Sequence, residues 1–162
     1  MKLYHIDRIG HLRQNTILEL AQANNENYKE GFSTHGVRMY LSASNSKDHT
    51  IEAVFEHERQ MHFPDKLCRY QAFYAFEKEA IIEFFEAKQL HREFYKIYEI
   101  EAEHYSKHDM SLVRGLSLYE ISKYAKRYWN QEQDKKPIFE YLVKYPIKIG
   151  KEISYEELKK IN

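Results

Sequence analysis

Apolar and polar residues alternate along several short stretches of the chain, the pattern of half-buried β-strands. The first stretch places Leu3 and His5 on one face and Tyr4 and Ile6 on the other. A second alternates around Tyr98, with its apolar side chains on a single face. This alternation predicts strands over residues 2–6, 37–41, 67–76, 94–102 and 138–143, extensions at 147–149 and 152–153, and a short strand or helical turn at 16–20.

Between these strands, apolar residues recur with a period near 3.6, which indicates amphipathic helices. The period predicts helices over residues 48–62, 77–89 and 118–129, and a terminal helical turn over 154–158. Ser44, Asn45 and Ser46 are candidate N-caps of the first helix, Pro64 ends it, and Ser117 caps the third. Because helices and strands are interspersed with short connections, we predict one α+β domain over residues 1–162. Its sheet is mixed or mainly antiparallel, with flanking helices.

Composition narrows the function classes. The chain has 162 residues, 43% of them hydrophobic, enough for a single core. Lys+Arg and Asp+Glu number 25 each, so no basic field points to nucleic acid. Met1 and Lys2 lead directly into the first strand, and no apolar run reaches the roughly 20 residues of a membrane span. One cysteine, Cys68, excludes an internal disulfide, and we expect a cytoplasmic protein.

Aromatic residues are unusually frequent, with 14 tyrosines and 9 phenylalanines. Most are expected to fill the core, because aromatic side chains bury large apolar areas. A second interpretation stays open, in which one or two tyrosines stack on a base or a nicotinamide ring. In the segment from Tyr124 to Trp129, basic and aromatic residues mix, and the helical spacing favours a core face over a nucleic-acid surface.

Several familiar sites are excluded by spacing. His57 and His62 are one position further apart than the i, i+4 spacing of a helical zinc site, so we predict no metal. His104 and His108 have that spacing but follow a strand, and we expect a polar turn there. The chain has no phosphate-loop motif, no dinucleotide-binding glycine motif and no Gly-x-Ser-x-Gly motif. Cys68 is expected to be buried and structural.

Two distant segments resemble strands of the ADP-ribosyltransferase superfamily. One is the opening Leu3-Tyr4-His5-Ile6-Asp7-Arg8, and the other is Phe139-Glu140-Tyr141-Leu142-Val143 with the proline-containing turn after it. The resemblance implies an ADP-ribosyltransferase-like fold with NAD as the substrate. It also implies that Tyr4 and His5 bind NAD, with His5 on the ribose, and that Glu140 and His5 are the catalytic residues. Asp7 departs from the family pattern, which has a hydroxyl residue after the Tyr-His pair.

A third segment, from Arg69 to Phe76, resembles the strand that walls the nicotinamide pocket in the same superfamily. By that resemblance Arg69 or Arg8 contacts the pyrophosphate, Gln71 or Tyr74 lines the ring site, and Ser33 adds a polar contact. An ion-pair role for either arginine stays open. The combined expectation is geometric: His5 and Glu140 face one cleft.

The chain also resembles DUF2441, a family of small bacterial proteins of unknown function. The likeness lies in residues 4–8, 31–36, 69–73 and 125–129. Three hypotheses follow from the two resemblances. The first is an NAD-dependent ADP-ribosyltransferase that modifies a nucleic acid, a protein or a small molecule, in toxin or phage–host conflict. The second is a nucleotide-binding protein of the same fold without turnover. The third is a protein- or nucleic-acid-binding module of a phage or mobile element.

Overall fold

The computed structural model describes residues 1–21, 26–43, 46–88 and 95–161. The strands are β1 Lys2–Asp7, β2 Ile17–Leu18, β3 Ala72–Ala75, β4 Lys96–Glu101, β5 Tyr105–Asp109, β6 Phe139–Lys144 and β7 Ile147–Ile153. The α-helices are α1 Thr34–Gly36, α2 Lys47–His62, α3 Lys78–Lys88, α4 Leu118–Trp129 and α5 Tyr155–Lys160. The predicted caps Ser44 and Asn45, the predicted helix end at 89 and the predicted strand start at 94 lie outside the described residues.

The strands form two antiparallel sheets. The first sheet has the order β1-β4-β7-β2, and the second has the order β3-β6-β5. A single backbone bridge joins β1 to the end of β3, where Tyr4 and Phe76 exchange two hydrogen bonds of 2.8 Å. The predicted single α+β domain with a mainly antiparallel sheet is therefore confirmed, with the sheet divided in two.

The two sheets and the helices make four layers. Leu3, Ile100 and Ile149 of the first sheet pack face to face against Phe73 and Val143 of the second. The outer face of the first sheet is covered by α3 and α5, through buried side chains such as Ile81, Phe85 and Leu158. The outer face of the second sheet is covered by α2 and α4, through Phe55, Ile121, Trp129 and Leu142.

Strand β6 shows how one sequence serves two layers. Side chains alternate along a strand, so neighbouring residues point to opposite faces of the sheet. Tyr141 and Val143 lie in the cluster between the sheets. Leu142 lies in the cluster under the helices, and Glu140, two residues away, shares its face. The same alternation in β3 separates Phe73 from Tyr74.

Two predicted helices are capped as the sequence indicates, whereas Ser46 stands at the N-cap of α2 without a side-chain capping hydrogen bond. Ser117 accepts a hydrogen bond from the backbone N–H of Glu120 at the start of α4, and Ser154 forms a capping box with Glu157 at the start of α5. Tyr128 and Trp129 of α4 are fully buried, which confirms the predicted core face of this helix. Cys68 is buried as expected, and burial raises the pKa of its thiol to about 12.

Three predicted segments differ in the structure. Residues 37–41, expected as a strand, form a π-helix that continues α1. The predicted strand 67–76 shortens to β3 because Arg69–Gln71 form a 3-10 turn. The segment after His104, expected as a polar turn, is strand β5. Its polar residues are satisfied by tertiary partners: His108 bonds the Tyr128 carbonyl, and Asp109 accepts backbone N–H groups of Asp134 and Ile138.

Two buried aspartates, Asp7 and Asp109, hold loops at strand ends through hydrogen bonds from backbone N–H groups. Asp7 ends β1, and its carboxylate accepts from the backbone N–H groups of Ile9, Gly10 and Leu12 at 2.8–3.0 Å. Burial alone would raise the pKa of Asp7, but these three bonds hold it below its usual range. Asp7 therefore has a structural role, because it fixes the loop that follows β1.

Candidate functional site

A buried cluster of hydrogen-bonded polar side chains surrounds Arg69, and we call it the Arg69 centre. It consists of Arg69, Glu52 of α2, Glu140 of β6, Tyr128 of α4 and Tyr74 of β3. Arg69 donates to both oxygens of Glu52, from Nε at 2.9 Å and from Nη2 at 2.8 Å. Its Nη1 donates to Glu140 and to the Tyr128 hydroxyl.

Local structure brings these side chains together. The 3-10 turn Arg69–Gln71 directs Arg69 toward the face of the second sheet that the helices cover. Glu140 and Tyr74 lie on that face by strand alternation. The guanidinium carbon of Arg69 lies 5.2 Å from the centre of the Tyr74 ring and 5.1 Å from that of Tyr128. The centre thus joins two helices, two strands and a turn.

Electrostatics favour the charged forms of Arg69 and Glu52. Burial alone would lower the pKa of Arg69, but the adjacent Glu140 and Glu52 carboxylates hold it well above its usual range. Burial would likewise raise the pKa of Glu52, and Arg69 holds it far below its usual value. Removing charges from water is costly, and geometry this complete is what offsets the cost. Burial also raises the pKa values of Tyr128 and Tyr74.

His35 lies at the outer end of this cluster. Its Nε2 is 3.3 Å from Glu52 Oε1, and its ring centre is 4.8 Å from that of Tyr74. Its side chain is 24% exposed, against 5% for Glu52. A chain of groups therefore runs from buried Glu140 through Arg69 and Glu52 to a half-buried imidazole.

The structure brings four of the predicted site residues near one another. Arg69, Tyr74 and Glu140 belong to the Arg69 centre. Ser33 lies beside it, because its hydroxyl donates to the Tyr70 carbonyl at 2.9 Å and accepts from the Gly36 N–H at 3.1 Å. Arg69 and Glu140 are only 4% and 3% exposed. The expected pyrophosphate contact of Arg69 is therefore replaced by internal ion pairs.

His5 does not join them. Its Nδ1 lies 2.7 Å from the Tyr74 carbonyl, and its ring centre is 4.4 Å from that of Phe73. Phe73 belongs to the layer between the sheets, whereas Glu140 faces the helices. His5, on β1 of the first sheet, thus lies on the Phe73 side of the second sheet and Glu140 on its helix side, which contradicts the expected shared cleft. Burial lowers the pKa of His5, although its hydrogen bond to the Tyr74 carbonyl acts in the opposite direction.

The three remaining predicted residues are dispersed. Tyr4 is buried in the layer beneath α3 and α5. Arg8 is exposed, and its guanidinium lies 4.9 Å from the centre of the Phe84 ring of α3. Gln71 donates to the Gly31 carbonyl at 3.0 Å and borders a small cavity of about 70 Å³ with Tyr145. The predicted site therefore divides into separate regions because β1 and β3 belong to different layers.

An open cleft lies beside α2, on the face that carries His49, Glu56 and Gln60, and we call it the tyrosine cleft. Its volume is about 410 Å³. It is lined by Asn27, Tyr28, Met39, Tyr40, Ser42, His49, Ala53, Glu56, His57, Gln60 and Tyr70. The rings of Tyr28 and Tyr70 are 2–5% exposed, whereas Tyr40 is 39% exposed. One wall is therefore a buried aromatic cluster with a single exposed ring at its edge.

The opposite wall of the tyrosine cleft is polar and comes from α2. Arg59 donates to both oxygens of Glu56, from Nε at 2.9 Å and from Nη2 at 2.8 Å. The Tyr28 hydroxyl and the Gln60 amide also donate to Glu56, at 3.2 and 3.0 Å. The carboxylate is fixed in place by this network, and Gln60 and His57 remain exposed beside it.

Sequence reasoning missed both Glu52 as the partner of Arg69 and the tyrosine cleft. A signal for the first existed: Glu52 and Glu56 lie one turn apart, next to Ile51 and Phe55 on the apolar stripe of α2. Acidic residues at the edge of a buried stripe need cationic partners. Tyr28 gave no comparable signal because its segment has no regular period, and Tyr40 lies in residues 37–41, which were predicted as a strand and form a π-helix.

Comparison with known proteins adds one finding to this α+β sandwich with a buried arginine centre. The chain belongs to the DUF2441 family, described as proteins of unknown function, whose model matches residues 33–155. That range contains the Arg69 centre and most of the tyrosine cleft but excludes Tyr4, His5 and Arg8. None of the curated proteins matches the chain.

Within residues 1–21, 26–43, 46–88 and 95–161, no three His, Cys, Asp or Glu side chains come together in a way that could hold a metal ion. Over the same residues, no helix combines the length and the apolar character needed to cross a membrane.

Proposed function

We propose that this protein binds a small ligand with a planar ring, of the nucleoside or dinucleotide class, in the tyrosine cleft. The observation that supports this proposal is the stacked, partly exposed ring of Tyr40 at the edge of the cleft. One face of its ring stacks on Phe32, with 5.2 Å between ring centres and planes 23° apart. Its exposed part borders a space of about 410 Å³, which is in the range of small-molecule pockets.

The surroundings of Tyr40 suit a fixed stacking platform. Its ring centre lies 5.0 Å from that of Tyr28 and 5.3 Å from that of Tyr70, both buried. A ring held by three neighbours loses little freedom when a base stacks on it, and such stacking favours binding by about 1–3 kcal/mol per base. Across the cleft, the side-chain carbonyl oxygen of Gln60 is an acceptor for a polar group of the ligand, because its amide nitrogen already donates to Glu56 and Tyr28.

Titration calorimetry with NAD tests this proposal, with adenosine as a second probe. We expect wild-type protein to bind, and Tyr40→Ala to weaken binding by about tenfold, the loss of one stacking contact. Tyr119→Ala is the matched control, because Tyr119 is 78% exposed and lies outside the cleft. Absence of binding by both probes, or an equal loss in both variants, contradicts the proposal.

NAD-dependent ADP-ribosyl transfer, the activity implied by the sequence resemblance, is the second candidate. The position of His5 favours it. Its Nδ1 bonds Tyr74 where β1 and β3 separate, and its Nε2 has no hydrogen-bond partner in the described part of the chain. A ribose hydroxyl is a suitable partner for that nitrogen. Chemistry at Glu140 additionally requires the Arg69 centre to open. We therefore rank ligand binding above ADP-ribosyl transfer as the function of this protein.

Incubation with labelled NAD and a cell lysate, which offers nucleic acid, protein and small-molecule acceptors, separates the two candidates. Label transferred by wild type and lost in His5→Ala supports transfer. Equal labelling by both proteins argues against a role for His5. Binding of NAD without any labelling leaves a nucleotide-binding protein without turnover. A chain that binds nucleic acid or protein but not NAD corresponds to a binding module instead.

A further inference from the structure

The residues that line the tyrosine cleft carry no unpaired negative charge. Glu56 is the one carboxylate among its lining residues, and Arg59 neutralises it through two hydrogen bonds. Burial raises the pKa of Tyr28 and that of Tyr70, so both phenols stay neutral at physiological pH. The other ionisable side chains that α2 contributes to the lining of the cleft are the imidazoles of His49 and His57.

The two imidazoles flank a recess on α2. His49, Ala53 and His57 are spaced by four residues, so they share one face of the helix. The Ala53 methyl leaves room between them. His49 is engaged: its Nδ1 lies 2.6 Å from Ser46 Oγ, and its Nε2 lies 3.2 Å from the Arg38 carbonyl. His57 is exposed and has no partner in the described part of the chain.

We propose, on the basis of the proposed function, that the tyrosine cleft selects a phosphorylated nucleoside over the free nucleoside, with His57 as the phosphate contact. A base stacked on Tyr40 lies across the cleft from α2. Its phosphate then reaches the side of the cleft that has imidazole donors and no uncompensated carboxylate. A nitrogen–hydrogen group of His57 donates to a phosphate oxygen, a charge-assisted bond that a nucleoside cannot form. A cationic ligand finds no free counter-charge among the lining residues.

Calorimetric titration with AMP and adenosine tests this selection in three proteins: wild type, His57→Gln and His62→Gln. We expect wild type to bind AMP about tenfold more tightly than adenosine, the effect of one charge-assisted bond. His57→Gln should reduce that preference to within about twofold while its adenosine affinity stays unchanged. His62→Gln is the matched control: His62 lies on the same helix, 52% exposed, against Glu58 and outside the cleft.

The outcomes separate the two proposals. Equal affinity for AMP and adenosine in wild type overturns phosphate selection and leaves ligand binding intact. An equal loss of preference in His57→Gln and His62→Gln also overturns it, because a general change in helix charge then explains the effect. If wild type binds neither compound, the proposed function fails, and the phosphate contact fails with it.

Discussion

Two carboxylates one turn apart on α2 are bound by arginine in the same way and have different surroundings. Arg69 donates to Glu52, and Arg59 donates to Glu56, each through Nε at 2.9 Å and Nη2 at 2.8 Å. In the first pair both side chains are 5% exposed. In the second pair Arg59 is 12% exposed and Glu56 borders the tyrosine cleft.

The difference shows that the surroundings of an ion pair decide its role. Arg69 uses its remaining donors on Glu140 and Tyr128, so the first pair is closed by protein groups on every side that the contacts describe. None of the five residues of the Arg69 centre lines the tyrosine cleft. Glu56 instead fixes Tyr28 and Gln60 beside open space. The first pair holds layers together, and the second shapes a binding surface.

The largest effect is expected when the ion pair between Arg69 and Glu52 is removed. Arg69→Met leaves Glu52 and Glu140 buried without a counter-charge, and we expect the free energy of unfolding to fall by about 3–5 kcal/mol. Urea unfolding followed by far-ultraviolet circular dichroism measures this. Arg114→Met is the control, because Arg114 pairs with Asp134 while 50% exposed and should cost at most about 1 kcal/mol. Equal losses in both variants would show that the Arg69 centre is not closed.

Acid should destabilise the region of the Arg69 centre through His108. The ring of His108 stacks on that of Tyr128, with 4.3 Å between ring centres. Burial lowers the pKa of His108 to about 4, so the unfolded chain binds its proton first. This contribution is fully present above the unfolded pKa near 6.5 and is lost as pH falls toward about 4, at a total of roughly 3 kcal/mol. Urea midpoints between pH 7.5 and 4 measure it. A His108→Gln variant with the same slope between pH 6.5 and 4.5 would contradict the assignment.

Neutralising each carboxylate compares the two pairs directly. Glu52→Gln should lower the free energy of unfolding by about 2–3 kcal/mol, because Arg69 loses a charged partner in a closed site. Glu56→Gln should cost less, about 1 kcal/mol, because Arg59 is 12% exposed and also donates to the Pro64 and Lys66 carbonyls. Ligand affinity should show the reverse order, with only Glu56→Gln weakening NAD binding. Similar stability losses together with unchanged NAD affinity in both variants would remove the distinction.

The smallest effect is expected at Ser33, which lies between the two regions. Its hydroxyl bonds the carbonyl of Tyr70, whose ring lines the cleft while the neighbouring residue is Arg69. Ser33→Ala should lower the free energy of unfolding by about 1 kcal/mol, the usual value of one such bond. NAD affinity should be unchanged. A variant with normal stability and weakened NAD binding would instead support the ligand contact that the sequence resemblance implies.

Periodicity determined much of the secondary structure. Helices α2 and α4 form where apolar side chains recur every 3.6 residues, and capping serines mark the starts of α4 and α5. Strands β1, β4 and β6 form where the alternation is regular. The sequence named Arg69, Tyr74 and Glu140 among eight candidate site residues, but it did not predict the buried contacts that join them.

Only the tertiary structure decided which face each residue occupies and how far each charge is buried. Strand β5 exists because β6 pairs with it and because His108 and Asp109 find partners far away in sequence. His5 and Glu140 lie on opposite faces because the strands divide into two stacked sheets, which local alternation does not specify. Glu52 and Glu56 are equivalent in the helix pattern. Packing against β6 seals one, and the segment with Tyr28 and Tyr40 leaves the other beside a cleft.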